Sequence, residues 1–580
     1  MGEWPEHMPS LLRRIHAARG SLDHASALPR LAQLPSPDLL SGMTEAVRLL
    51  ADAIAQDQRI VVVGDFDCDG ATACAVGVRG LRMLGARHVT YAVPNRIAHG
   101  YGLSPALVDE LAALQPDLLV TVDHGIACIA GVQAAKARGW RVLVTDHHLP
   151  GAALPAADAI VNPNLSGDGF PSKALAGVGV MFYVLLGLRA HLRDAGVFAT
   201  AAEPNLGVLL DLVAVGTVAD LVPLDVCNRA LVAAGMRRLR AGKGGAGLRA
   251  LMDVCRRQAA TLCSADIAFG IAPRINAAGR LEDMAIGIEC LLADDDGIAR
   301  THAELLHAIN AERQGVQQTM LEWAEAAVAS FDAQTPVDGC VPCLFDPDWH
   351  PGVVGLVASR LKEKLHRPVL AFAPAAPDQP DLLRGSARSI GGFHLRDALA
   401  AVDALHPGLI ERFGGHAMAA GLSLRRDALA PFRDALHAYA QSRLTAELLQ
   451  AELWSDGELG AEELCLEHAC ALRDGGPWGQ GYPEPLFDGE FNVIAWRVVG
   501  GRHLKYELAL QGQRVFAMHF DGWDGAEPEQ RIRIAYRLQP DDWRGGDAIQ
   551  LIVVHREAVT NHAHAMPCHA HGSASDAALR

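Results

Sequence analysis

Four short apolar runs, RIVVVGD, HVTYAVP, DLLVTVD and RVLVTD, lie between Arg59 and Asp146 and alternate with Ala-rich helical segments. Strands buried on both faces read as continuous β-branched runs, so the alternation predicts a parallel sheet covered by helices on each side. Three of the runs end in acids or histidines. RIVVVG leads into Asp65, Asp67 and Asp69, LLVTV into Asp123 and His124, and RVLVT into Asp146, His147 and His148. Ligands of an open parallel sheet bind at the carboxyl ends of its strands, so these clusters should face one site. A single Asp after a strand is most simply a helix N-cap. Carboxylates gathered from three strands repel one another and lose hydration, which calls for cations. Carboxylate and imidazole donors without a thiolate set favour Mn²⁺ or Mg²⁺, with imidazole tipping the choice to Mn²⁺. Two such ions would activate a water and stabilise charge on a phosphoryl oxygen, which is phosphodiester hydrolysis.

The 580 residues exceed what one core supports, and three or four domains are expected. The pattern divides into an N-terminal segment (1–45), a parallel-sheet α/β domain (46–282), a connecting helix (283–331), a second α/β domain (332–443), an OB-like β-barrel (454–558) and a disordered tail (559–580). The barrel is read from five short alternating stretches: FNVIAWRVV, LKYELAL, RVFAMHF, RIRIAYRL and AIQLIVV. The longest apolar stretch, Ala174 to Leu188, is shorter than the ~18 to 20 residues of a membrane span and predicts a buried helix. With no export signal at the N-terminus, the 12 Cys are expected to be reduced thiols in the cytoplasm. Cys340 and Cys343 form a CxxC with no second pair at zinc-site spacing.

A net charge of −16 repels polyanions at long range, so a nucleic-acid substrate would have to be met by local arginines and by metal. Candidate phosphate donors are Arg96, His99 and Tyr101 in NRIAHGYG, and Arg274, Asn276 and Arg280 in PRINAAGR. Ser386, Arg388 and Ser389 sit among glycines that admit a phosphate to the backbone, and Gly414, Gly415 and His416 make a similar second loop. In the barrel, Trp496, Tyr506, Phe516 and Trp543 are interleaved with Arg497, Arg502, Lys505, Arg514, Arg531 and Arg533. Stacking rings with backbone-tracking cations describe sequence-tolerant single-strand binding, although about half of such aromatics should pack inward.

The ordered motifs GDFDCDG, PNRIAHGYGL, TVDHGI, TDHH, LAGVGV, GTVAD, APRINAAGRL, WHPGVVGLVASRL, GSARS and FGGHAMAAG closely resemble those of the DHH phosphoesterase superfamily. Within it, they are similar to the RecJ-type single-strand-specific exonucleases, from about Arg59 to Val554. The resemblance implies that Asp67, Asp69, Asp123, His147 and Asp220 ligate a metal pair. Asp65 would be close enough to join, Asp123 would bridge, and His148 would lie beside the ions. Asp146 would support the histidines from behind. His124 stands where relatives often carry Asn, and Cys68 where a small residue is common, leaving open whether His124 touches substrate or metal. The family further implies 5′ to 3′ degradation of single-stranded DNA to mononucleotides in repair and recombination, with the second domain gripping the strand near its 5′ end. Single-strand-binding protein and a helicase would be partners of a monomer with no membrane association. One alternative is a phosphodiesterase for short oligonucleotides or cyclic dinucleotides, which would not need the barrel. Another is a binding protein that holds Mg²⁺ without turnover, against which the complete ligand set counts.

Overall fold

The computed structural model describes residues 4–95, 99–200, 202–332, 341–376, 378–541, 544 and 546–559. Arg96, Cys340, Trp543 and the tail from 560 lie outside the described residues. The chain forms two compact units, one of Met1–Ala92, Leu103–Ala272 and Trp454–Arg580, the other of Val93–Gly102 and Pro273–Leu453.

The first unit begins with helices α1 (Ser10–Ala18) and α2 (Met43–Ala55). Its sheet comprises β1 (Ile60–Val63), β2 (Val89–Ala92), β3 (Leu118–Val122), β4 (Arg141–Thr145) and β5 (Ala159–Val161). All pairs are parallel, in the order β2-β1-β3-β4-β5. β1 and β3 are buried along their whole length, which is why their runs carry no polar alternation. The direction of winding reverses between β1 and β3, opening a crevice at their carboxyl ends. Helix α3 (Cys68–Met83) follows β1 and packs on α4 (Gly177–Asp194) and α5 (Leu210–Ala219), with α6 (Val226–Arg240) behind α5. Helix α4 contains most of the long apolar stretch and is buried nearly all round, as a core helix should be.

The second unit holds α7 (Ala272–Leu281) from Pro273 onward, a short helix Ala285–Leu292 and the 37-residue α8 (Asp296–Asp332). Helix α9 (Val354–Leu365) accompanies a mixed sheet of β6 (Cys343–Phe345), β7 (Val369–Pro374), β8 (Leu382–Arg388), β9 (Arg412–Gly415) and β10 (Ala419–Arg425). The order is β6-β7-β8-β10-β9, parallel only between β6 and β7. Alternation along β8 buries Leu383, Gly385 and Ala387 and turns Arg384, Ser386 and Arg388 to the other face.

The C-terminal part of the first unit is a closed barrel of β11 (Phe487–Val499), β12 (His503–Leu510), β13 (Gln513–His519), β14 (Arg531–Pro540) and β15 (Ile549–Ala558), in the order β11-β12-β13-β15-β14. The stretch before it is tied to the body of the unit by polar contacts the sequence did not reveal. His16 Nδ1 of α1 lies 2.7 Å from the Tyr482 hydroxyl, Arg19 pairs with Asp456 at 2.9 Å, and the Arg229 guanidinium of α6 stacks on the Tyr482 ring at 3.8 Å. Among the described residues, no helix is long and apolar enough to cross a membrane.

Candidate metal centre

The carboxyl ends of β1, β3 and β4 and the end of α5 bring eight of the sequence-identified residues together. Beyond β1, Asp67 caps α3 by accepting from the Gly70 N–H at 3.0 Å, so the N-cap role and site membership coincide in one residue. Asp69, in the first turn of α3, accepts from the Gly177 and Val178 N–H groups at 2.6 and 2.9 Å, placing its charge at the positive end of α4. That approach explains two motif glycines. A Cβ on Gly177 would stand 2.5 Å from Asp123 Cβ, and one on Gly216 2.9 Å from Asp69 Oδ1. Asp123 leaves β3 with a left-handed φ of 64°, a strained conformation for a residue with a side chain and one that recurs at functional sites.

After β4, Asp146 accepts from the His147 and His148 N–H groups at 2.7 and 3.0 Å, and from Ile126 N–H at 2.9 Å. His148 Nδ1 lies 2.8 Å from the same carboxylate. Two residues that sequence reasoning missed hold the backbone of this turn. The Asn162 amide donates to His148 O at 2.9 Å and the Asn164 amide to His147 O at 2.6 Å. Their signal was the NPN that directly follows β5, a strand too short to stand out in the pattern. Asp220 caps the C-terminus of α5.

Three overlapping sets of donor atoms each lie within 4.8 Å of one another: Asp65, Asp67 and Asp123; Asp69, His147 and Asp220; Asp123, His147 and His148. His147 Nε2 is 3.0 Å from Asp123 and 3.6 Å from Asp220. Burial, and then the neighbouring Asp67, pushes the Asp69 carboxyl up to about 7. Burial and Asp69 likewise push Asp123 and Asp220 well above the ordinary carboxylate range. Buried acids that raise one another in this way are stabilised by cations, and the carboxylate–imidazole donor set fits Mn²⁺ or Mg²⁺. Asp146 differs. Burial opposes its charge, but the His148 side chain and the backbone donors outweigh that and hold it down to about 2. His148 is raised above its usual value, because Asp146 outweighs the opposing burial.

The two departures from the family pattern lie apart from the donor sets. His124 is fully buried with Nε2 3.0 Å from the β1 carbonyl of Val63, and burial lowers it to about 4, so its ring ties β3 to β1. Cys68 is buried, and burial with Asp67 and Asp69 raises its thiol, keeping it protonated.

In the second unit, Arg388 NH1 donates to Ser386 Oγ at 2.9 Å on the face of β8. A Cβ on Gly355, in the first turn of α9, would stand 3.0 Å from Arg388 NH2 and 2.9 Å from Ser386 Oγ, so both polar groups lie beneath a helix N-terminus. Burial lowers the Arg388 pKa, and among the described residues no carboxylate pairs with it. Ser389 is a correction to the expected phosphate loop. It is 1% exposed and its hydroxyl donates to Phe393 O at 2.6 Å, because alternation turns it into the core. Gly415 and His416 enter the β9–β10 turn, and Ala419 of that hairpin stands opposite Arg388 in the sheet. Arg274, Asn276 and Arg280 lie on helix α7, with Arg274 Nε 3.1 Å from His307 Nδ1 and Arg280 donating to Gly352 O at 3.2 Å. His99 Nδ1 accepts from Asn95 N–H at 3.0 Å and Tyr101 is exposed.

In the barrel, Tyr506 is core. Phe516 faces outward beneath Arg544 at 4.1 Å and Lys505 at 6.0 Å, and Trp496 stacks on Trp523. Arg502, Arg514, Arg531 and Arg533 each meet a carboxylate of the barrel region, which lowers their availability to phosphates.

The chain matches the DHH family, N-terminal domain, over residues 59–217, and the DHHA1 domain over 337–442. The RecJ OB domain matches over 455–555. A single-stranded-DNA-specific exonuclease RecJ of Dickeya dadantii is 49% identical over 95% of this chain and 97% of its own length, and that of Escherichia coli is 47% identical over 95% and 96%. The crystal structure of RecJ in complex with Mn²⁺ from Thermus thermophilus superposes with a TM-score of 0.77 at 32% identity, covering 96% of this chain and 80% of that one. The chain therefore belongs to the RecJ family of DHH proteins.

Proposed function

We propose that this chain is a single-strand-specific exonuclease that degrades DNA 5′ to 3′ to mononucleotides, with two divalent cations, Mn²⁺ or Mg²⁺, held by Asp65, Asp67, Asp69, Asp123, His147 and Asp220. The observation that carries the reading is the overlap of the donor sets. Asp123 and His147 each belong to two of the three, as shared or adjacent ligands of a metal pair must. When bound, the ions supply a nucleophilic water and neutralise phosphoryl charge.

The rest of the work falls to the chain. Backbone donors fix Asp67 and Asp69, and Asn162 and Asn164 fix the turn that presents His147 and His148. Asp146 favours a protonated His148, which suits that ring to give a proton to the leaving 3′ oxygen. Ser386 and Arg388 under α9 offer a site for the phosphate at the 5′ end, with Gly415 and His416 in the neighbouring turn. Arg96, His99, Tyr101, Arg274, Asn276 and Arg280 hold phosphates of the same strand, and Phe516 with Arg544 and Lys505 gives the barrel a stacking surface. Such strands arise in repair and recombination, where a helicase opens the duplex and single-strand-binding protein coats it, and these are the partners the reading implies.

The test is one digestion series with single-stranded, duplex and dinucleotide substrates, labelled at either end, with Mn²⁺ or Mg²⁺. The expected result is early release of the 5′-terminal nucleotide from single strands alone. Folded, metal-loaded protein that released no mononucleotide would overturn the reading, and cleavage of dinucleotides alone would favour a small-substrate phosphodiesterase.

A further inference from the structure

The first unit contains a cavity of about 1080 Å³ whose charge opposes that of the whole chain. Seven arginines line it against three carboxylates, Asp266, Asp474 and Glu484, a surplus of four positive charges in a protein whose net charge is −16. Those carboxylates already pair with Arg257, Arg240 and Arg537. Arg30, Arg237 and Arg256 face the cavity with no carboxylate partner among the described residues. The wall runs from Val218 and Leu221, which flank Asp220 of the donor sets, to Arg537, Leu538 and Gln539 of barrel strand β14. A polyanionic strand is the ligand this wall fits.

Phe269 is the aromatic group most exposed to that space. It is 79% exposed and lies on a five-residue π-helical turn, Ile267–Ile271, whose end residues Ile267 and Ile271 are fully buried. The wide π turn is anchored by those two residues and projects the phenyl between them outward, and such turns recur at functional sites. A Cβ on Gly270 would stand 3.7 Å from Arg257 Nε, so a guanidinium lies beside the residue that follows Phe269 in the turn. Isolated exposed apolar residues are ordinary on a surface. A phenyl held out into an arginine-lined cavity whose wall includes Val218 and Leu221, near Asp220 in the chain, has a more specific chemistry, since every nucleobase has a π face that can lie on it.

We propose that Phe269 is a stacking platform for one base of the substrate strand on its way to the carboxylate cluster, with the unpaired arginines holding the flanking phosphates. The inference rests on the single-strand reading above and adds a residue and a position to it. Stacking asks nothing of base identity, so the platform is indifferent to sequence. A base inside a duplex already has neighbours on both faces and cannot use it, so the platform contributes to single-strand preference.

The test uses the full chain in metal-free buffer with a 5′-phosphorylated oligothymidylate carrying one 2-aminopurine at successive positions from the 5′ end. The expected result is quenching confined to one or two adjacent positions. Phe269→Ala should abolish that quenching and raise the dissociation constant about tenfold. Phe269→Leu should behave like the alanine variant, and Phe269→Trp should restore both readouts. Position-specific quenching that survives in Phe269→Ala, or full rescue by leucine, would overturn the platform while leaving the single-strand reading intact. Failure of the wild-type chain to bind the oligonucleotide at all would overturn both.

Discussion

At the carboxyl edge of the parallel sheet, Asp69 and Asp123 are buried and their carboxyls are driven upward. On the mixed sheet of the second unit, Arg388 is half-buried under the start of α9 and its guanidinium is driven downward. Loss of hydration acts in both places, with opposite sign because the charges are opposite. The difference teaches what each site lacks. The acids have only two histidines among them and call for cations, whereas on the proposed reading Arg388 and a helix N-terminus would take an anion. The two sites can be separated by what each variant loses.

The largest expected effect is at the acidic site. Asp123→Asn should lower single-strand hydrolysis on the order of 10³-fold or more while leaving the circular dichroism spectrum unchanged, since it removes a donor from two sets at once. Asn164→Ala leaves every donor in place but releases the His147 carbonyl, and isothermal titration with Mn²⁺ should show affinity reduced about 10- to 100-fold. At the basic site, Arg388→Ala should weaken anisotropy-measured binding of a 5′-phosphorylated strand about tenfold and of a 5′-hydroxyl strand much less. Equal weakening of both would remove Arg388 from the terminal phosphate.

The smallest effect is on stability. Asp69 keeps its proton to about pH 7 in the fold, whereas its ordinary value is 3.8, so between those values the folded chain binds more protons than the unfolded one. Metal-free protein should therefore lose stability as pH rises, with a melting temperature on the order of 5 °C lower at pH 8 than at pH 5, and saturating Mn²⁺ should flatten that slope. A metal-free melting temperature that rises with pH would contradict the raised carboxyls.

Much of the acidic site is legible in the sequence because each strand and the acid after it are local neighbours, and the barrel because its strands alternate in short runs. What was not legible depends on contacts between distant segments. Asn162 and Asn164 follow a three-residue strand that gives no periodic signal, yet they hold a turn fourteen to seventeen residues earlier in the chain. PRINAAGR carries Pro and Gly yet is helical, because Pro273 stands just after the π turn Ile267–Ile271 inside a helical run that continues to Leu281. The role of His124 could be read only once its ring was seen to face the Val63 carbonyl. The arginine-lined cavity is drawn from the N-terminal segment, α6, residues 256–269, residues 472–485 and β14, which no sequence window brings together.

The account turns on the strand-end carboxylates holding two ions at once. Equilibrium dialysis of the metal-free full-length chain against Mn²⁺ counts them directly. The prediction is two tightly bound ions per chain, falling to one or fewer in Asp123→Asn. A folded wild-type chain that saturates with one ion or none, or an Asp123→Asn chain that still binds two, would contradict it.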